Sequence, residues 1–126
     1  GVKIGDRTRI QSHTFICELV TIGSDCFVAH GVMFTNDLFK DGGPSGNDKT
    51  KWSSTEIGNN VSIGSNVTLL PVSICNNVVI GAGAVVTKNI TESGVYVGNP
   101  AKKIRDRFDS NKEKEEHVRL IARKKL

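Results

Sequence analysis

The sequence predicts an all-β chain wound into a parallel β-solenoid, with a protruding loop and a C-terminal α-helix. Three observations predict it. First, an apolar residue recurs at every sixth position, from Ile4 through Ile10, Ile16, Ile22 and Val28 to Phe34. The beat resumes at Ile57, Ile63 and Leu69, loses one residue, and continues at Ile74, Ile80 and Val86. Second, the residue two places earlier is small or aliphatic: Val2, Thr8, Thr14, Val20, Cys26 and Val32, then Thr55, Val61, Val67, Val78 and Ala84. Third, three places after the beat stand turn formers such as Asp25, Gly31, Asn60, Asn66, Asn77, Gly83 and Asn89.

A period of six belongs neither to an α-helix nor to an ordinary two-faced strand. Residues i and i−2 of a strand share a face, so each hexad points two side chains inward and then turns a corner. Three such strands close a triangular coil of about 18 residues, and coils stack at about 4.8 Å. Gly, Asn and Asp accept the left-handed backbone that a sharp corner requires. Arg7, His13, Leu19 and Val72 occupy the same place and break that preference. A β-sandwich is disfavoured, because its strands keep no fixed six-residue phase.

The elements follow in order. The chain starts on the beat at Val2, which predicts either a fragment or a partner over the first coil. Between Thr35 and Ser54 the beat stops, and Gly, Asp, Asn, Ser and Lys dominate. Residues 36–54 are therefore expected to form an external loop carrying the single Trp, Trp52. Residues 94–105 close the coil, with Pro100 ending the strand. The solenoid is assigned to residues 1–101 and a helical tail to 102–126, with Ile104/Phe108 and Val118/Ile121 as its apolar contacts.

Charge is unevenly placed. Residues 1–101 hold 7 basic and 8 acidic side chains, whereas 102–126 hold 10 basic and 5 acidic. Such a tail is either a solvated helix face or an attractor for a phosphate-bearing ligand. No stacking set of aromatics accompanies the charge, which argues against a nucleic-acid partner. No long apolar run suggests a membrane span, and three cysteines without metal spacing suit reduced thiols in the cytoplasm.

The units IGDRTR, IGSDCF, IGNNVS, IGSNVT and IGAGAV resemble the hexapeptide repeat of left-handed β-helix acyltransferases. The resemblance covers residues 2–99 and implies a left-handed coil and a homotrimer. VYVGNPAKKIR resembles the closing segment of that family, and IGAGAVVTKNI its preceding coil. The family carries acetyl-CoA along such coils, between two subunits. The resemblance therefore implies cofactor contacts at Gly81, Ala82, Gly83 and Ala84 for the pantetheine arm. It implies phosphate contacts at Lys88, Lys102, Lys103 and Arg105. The bland alternative is that the small residues simply permit coil stacking.

Acetyl transfer needs a held acceptor, removal of its proton, and a donor to the carbonyl oxygen. His13, in IQSHTFI, and His30, in CFVAHGVMFTND, are the candidate bases within the coil. In the galactoside and xenobiotic O-acetyltransferase branch, a catalytic His follows a Thr at the loop entry. Here Asn36 follows Thr35, and Asp37 follows that. VMFTND and IQSHTFI instead resemble the branch that acetylates the amino group of a nucleotide-linked sugar. In that branch Asn commonly fills the position of His13. On an amine reading the candidate catalytic residues are His13 or His30, one of which accepts a proton or binds the acetyl oxygen, with Asn36. Asn36 and Asp37 hold the substrate, and Trp52 either anchors the loop or covers the ligand of a neighbouring subunit. The resemblance implies surface polysaccharide or glycoconjugate synthesis as the setting.

Three alternatives stay open. An O-acetyltransferase acting on a sugar or serine hydroxyl would pair His30 with Asp37 or Asp25. A zinc hydratase of the same coil needs three His ligands, and the coil offers two, so no metal is expected. A non-catalytic β-helix scaffold shares the fold without the chemistry.

Overall fold

The computed structural model describes residues 1–46, 48, 50 and 52–107. The strands are β1 (Lys3–Ile4), β2 (Arg9–Ile10), β3 (Val20–Ile22), β4 (Phe27–Val28), β5 (Met33–Phe34), β6 (Thr55–Ile57), β7 (Ser62–Ile63), β8 (Thr68–Leu69), β9 (Ser73–Ile74), β10 (Val78–Ile80), β11 (Val85–Val86), β12 (Gly94–Val97) and β13 (Lys102–Arg105). They build three sheets. The first runs β1-β3-β6-β9, the second β2-β4-β7-β10-β12-β13, and the third β5-β8-β11. A bridge from Phe15 to Met33 carries the third sheet back to the first coil. All pairs are parallel except β12 with β13.

The beat residues stack in register. Ile4, Ile22, Ile57 and Ile74 pair in the first sheet, Ile10, Val28, Ile63 and Ile80 in the second, and Phe34, Leu69 and Val86 in the third. Most of them, with their i−2 partners, form one buried column. Burying each aliphatic side chain contributes about 1.5–3 kcal/mol, so the column supplies the main driving force. The first coil is the exception: Val2 and Ile4 remain 40% and 47% exposed. Its inward threonines bond to the next coil instead, Thr8 Oγ1 donating to Gly23 O (2.7 Å) and Thr14 Oγ1 to Ala29 O (2.9 Å).

The corners hold more widely than residue type suggests. Asp25, Asn60, Asn66 and Asn77 have φ near +60°, but so do Arg7, His13 and Leu19. Left-handed backbone costs an ordinary residue about 1–2 kcal/mol, and the stacked strands on either side impose it regardless. Val72 sits in the hexad that is short by one residue, and neither it nor Asn89 has positive φ. Gly64 serves a different need: a Cβ there would stand 2.5 Å from the backbone nitrogen of Ala82.

The helical tail needs correction at its start. Lys102–Arg105 form β13, antiparallel to β12. β12 ends the parallel ladder, and an uncovered edge leaves a row of unpaired backbone groups. The chain turns at 98–101 and returns to cover it. Ile104 therefore lies on a strand, 38% exposed; Phe108, Val118 and Ile121 lie outside the described residues. The segment 35–54 has no strand among its described residues. Its base is tied by an Asp37–Trp52 antiparallel bridge and by Ser53 N donating to Asn36 O (2.9 Å).

Candidate active site

Three columns of corner residues run along the prism, and they differ in chemistry. The column between the first and second sheets is a side-chain ladder. Asn59 Oδ1 accepts from Ser24 N (2.9 Å), Asn76 Oδ1 from Asn59 N (2.7 Å), and Asn60 Nδ2 donates to Asn77 Oδ1 (2.8 Å). Arg7 Nε meets Asp25 Oδ1 at 2.6 Å, and that hydrogen bond holds the Asp25 carboxyl below its ordinary range. These polar groups are engaged in stacking.

The column between the third and first sheets contains Leu19, Asn36, Val72 and Lys88. Asn36 Nδ2 donates to Glu18 O (3.2 Å). Asp37 accepts from Phe39 N (2.9 Å) through Oδ1 and from Ser45 N (2.7 Å) through Oδ2. Both residues thus shape the entry of the 35–54 segment, with Trp52 half-buried across the bridge.

The column between the second and third sheets holds His13, His30, Asn66 and Gly83. Gly31 N bonds to Ser12 O (3.1 Å), Asn66 N to His30 O (2.9 Å) and Gly83 N to Ser65 O (2.8 Å), which fixes the stacking. His13 and His30 therefore sit on successive coils of one edge, both exposed. His30 Nδ1 lies 3.0 Å from Ser12 Oγ. Beside this edge, on the second sheet's outer face, runs a groove of about 240 Å³ whose walls include Phe27, Ala29, Ser62, Val79 and Ala82.

The sequence-predicted cofactor residues divide. Ala82 lines the groove and Gly83 is exposed on the same edge. Ala84 points into the core, fully buried, and Gly81 is buried against Val97. Lys102 starts β13 at the groove end of the strand, whereas Lys88 lies on the opposite edge. Lys103 Nζ donates to Glu92 (2.6 Å) and to Asp106 (2.7 Å); these hydrogen bonds, Asp106's first, hold its ammonium above the ordinary lysine range. Arg105 is half-buried at the far end of β13.

Within one chain the structure gathers His13, His30, Ala82 and Gly83 on one edge. It places Asn36, Asp37 and Trp52 on another, on the order of 15 Å away across an extended strand. Ser12 escaped the sequence reading. Its separation from His30 is 18 residues, one full coil; applying that period to polar side chains would have found it. Among the described residues no three His, Cys, Asp or Glu side chains gather as a metal group, and no helix is long and apolar enough to cross a membrane.

Known proteins share this architecture. Residues 55–88 match the family described as hexapeptide repeat of succinyl-transferase. The chain is 36% identical over 116 residues to the putative lipopolysaccharide biosynthesis O-acetyl transferase WbbJ of Escherichia coli K12, covering 83% of this chain and 57% of that one. The crystal structure of a maltose O-acetyltransferase from Clostridium difficile 630 superposes with TM-score 0.73 at 29% identity, over 86% of this chain and 60% of that one. A Vibrio cholerae hexapeptide-repeat acetyltransferase solved with acetyl coenzyme A shares the fold, with TM-score 0.66 at 23% identity over 86% of this chain and 61% of that one. The chain spans between about a fifth and just over half of the first curated relatives it matches. A stacked hexad core, corners held at positive φ and a matching repeat model agree: the chain belongs to the hexapeptide-repeat acyltransferase family.

Proposed function

We propose that the protein transfers acetyl from acetyl-CoA to the amino group of a nucleotide-linked amino sugar. The observation that carries the reading is the edge on which His13 and His30 adjoin a largely apolar groove, lined on the histidine side by Ala29, Gly64, Ser65 and Ala82. In this reading the pantetheine arm lies in the groove along Ala82 and Gly83. Lys102 neutralises coenzyme phosphate as a charge-assisted donor. The thioester carbon then meets the acceptor at the histidine corner.

The neutral amine nitrogen attacks the thioester carbon. The C–N bond forms, the C–S bond breaks, and the nitrogen proton passes through His30 or His13 to the departing thiolate. A sugar amine is a nucleophile without a strong base, whereas a hydroxyl usually needs one. Asn36 supports an amine acceptor, because it places an amide where a hydroxyl-directed relative places an imidazole.

A homotrimer belongs to this proposal. Asn36, Asp37 and Trp52 stand on the far edge from the histidines of their own chain, so a neighbouring copy would bring them to the groove. We place the reaction in the cytoplasm, where acetyl-CoA and nucleotide sugars are made, and in surface polysaccharide or glycoconjugate synthesis.

A hydroxyl acceptor is the second reading, favoured by the names of the E. coli and C. difficile relatives. Thiol release from acetyl-CoA, measured with nucleotide-linked amino sugars and their hydroxyl analogues in parallel, separates the two. Turnover with amino sugars alone supports the amine reading. Turnover with the hydroxyl analogues replaces it, and failure to bind acetyl-CoA at all removes both.

A further inference from the structure

We propose that Ser12 is a positioning residue for His30, holding its ring so that Nε2 presents a free lone pair to the acceptor. The inference rests on the reading of His30 as the proton acceptor and deepens it. Ser12 and His30 belong to successive coils, and their backbones are already joined at this corner by Gly31 N donating to Ser12 O (3.1 Å). That bond fixes the separation of the two coils. The side-chain contact of 3.0 Å between Ser12 Oγ and His30 Nδ1 is then set by the fold itself.

The direction of the proton follows from what a base must do. A neutral imidazole carries one N–H, and its partner at the other nitrogen chooses which. If Ser12 donated to Nδ1, the proton would sit on Nε2 and the outward nitrogen would have no lone pair to offer. With Nδ1–H donating to Ser12 Oγ, Nε2 is the acceptor. This bond also survives the reaction: when Nε2 takes the acceptor's proton, Nδ1–H remains a donor, now from a cation, and such charge-assisted bonds are stronger. A serine hydroxyl can donate or accept; in the role proposed here its oxygen accepts, from the reactive tautomer and from its protonated product alike. A carboxylate or carbonyl behind a histidine can only accept and so fixes the tautomer; the serine holds the ring in place and accepts when Nδ1 carries the proton.

The exposure of the pair sets the expected size. Both side chains are exposed in a single chain, so water competes for the bond and the serine biases the ring without locking it. General base catalysis is worth about 10²–10⁴-fold, and a positioning partner controls a fraction of it. We expect Ser12→Ala to lower kcat by about tenfold with KM nearly unchanged. Ser12→Thr keeps the oxygen and restores most of the rate.

The test combines long-range ¹H–¹⁵N spectra of the ¹⁵N-histidine-labelled protein with acetyl-CoA turnover, for wild type, Ser12→Ala, Ser12→Thr and His30→Gln. The expected result is a proton on Nδ1 of His30 in the wild type and Ser12→Thr, and a shift toward the Nε2–H form in Ser12→Ala. If Ser12→Ala keeps the wild-type tautomer and kcat while His30→Gln loses turnover, the inference fails and His30 stands. If His30→Gln keeps full turnover, the base reading falls, and with it any part Ser12 has in the reaction.

Discussion

Replacing Thr55 with Val should stabilise the protein, whereas the same replacement at Thr8 should destabilise it. Both threonines occupy the inward place two residues before a beat. Thr55 pairs in register with Val20 and is 1% exposed. Its Oγ1 is buried with no hydrogen-bond partner among the described residues. A buried hydroxyl without a partner costs about 1–3 kcal/mol, and a methyl in its place removes that cost while filling the same space. Thr8 Oγ1 donates to Gly23 O (2.7 Å) and accepts from Cys26 N (3.1 Å). Valine there strands two backbone groups. We expect about +1 to +2 kcal/mol for Thr55→Val and a loss of about 1–2 kcal/mol for Thr8→Val. Equilibrium urea unfolding reads both. The midpoint should rise by roughly 0.5–1 M in the first variant and fall in the second, with the slope unchanged. Destabilisation of Thr55→Val, or equal effects at the two sites, would refute the reasoning.

Other outcomes follow from single contacts. Gly64→Ala should cost about 2 kcal/mol or more, read in the same unfolding assay, because its Cβ would stand 2.5 Å from Ala82 N and the coil cannot part without breaking its ladder. Asp25→Asn should blunt the acid limb of stability: the folded carboxyl is lowered by Arg7, so its contribution is present above about pH 4 and lost as pH falls through the lowered value. Thermal melts of both proteins from pH 6 to pH 2 check this, and parallel curves would count against it. His13→Asn retains a residue that tolerates the positive φ of that corner, so loss of turnover without loss of melting temperature would assign His13 to the chemistry.

The core was legible because its signal is a period. Ile22, Ile57 and Ile74 are ordinary residues, and only their spacing announces that they stack. The corners were half legible. Asn60 and Asn77 advertise left-handed backbone by type, but Arg7, His13 and Leu19 adopt it against type, since local preference is smaller than the stacking that overrides it. The strand Lys102–Arg105 was hidden among residues that favour helices. Its reason is the bare edge of β12, a need of the assembled coil that no local composition expresses. At the candidate site, His13 and His30 were visible as isolated imidazoles. Ser12 was not, because the contact that singles it out spans a whole coil.

The proposed trimer makes a demand on the third sheet. Its outer face presents Phe15, 58% exposed, paired with Met33, 41% exposed, directly beside the histidine edge. The first sheet presents Lys3, Thr21, Glu56 and Ser73 in the equivalent outward places, a face suited to water. A neighbouring copy covering Phe15 and Met33 would also dry the corner between the second and third sheets. Exclusion of water strengthens the electrostatic steps of acyl transfer, which links assembly to rate. Phe15→Glu tests the link, since the side chain points outward and the core column does not include it. The expected variant melts within a few degrees of wild type, elutes at the mass of one chain in light-scattering chromatography, and has lost acetyl transfer by more than about a hundredfold. A monomer with full turnover would show that one chain's edge suffices and that Asn36, Asp37 and Trp52 have no part in the reaction.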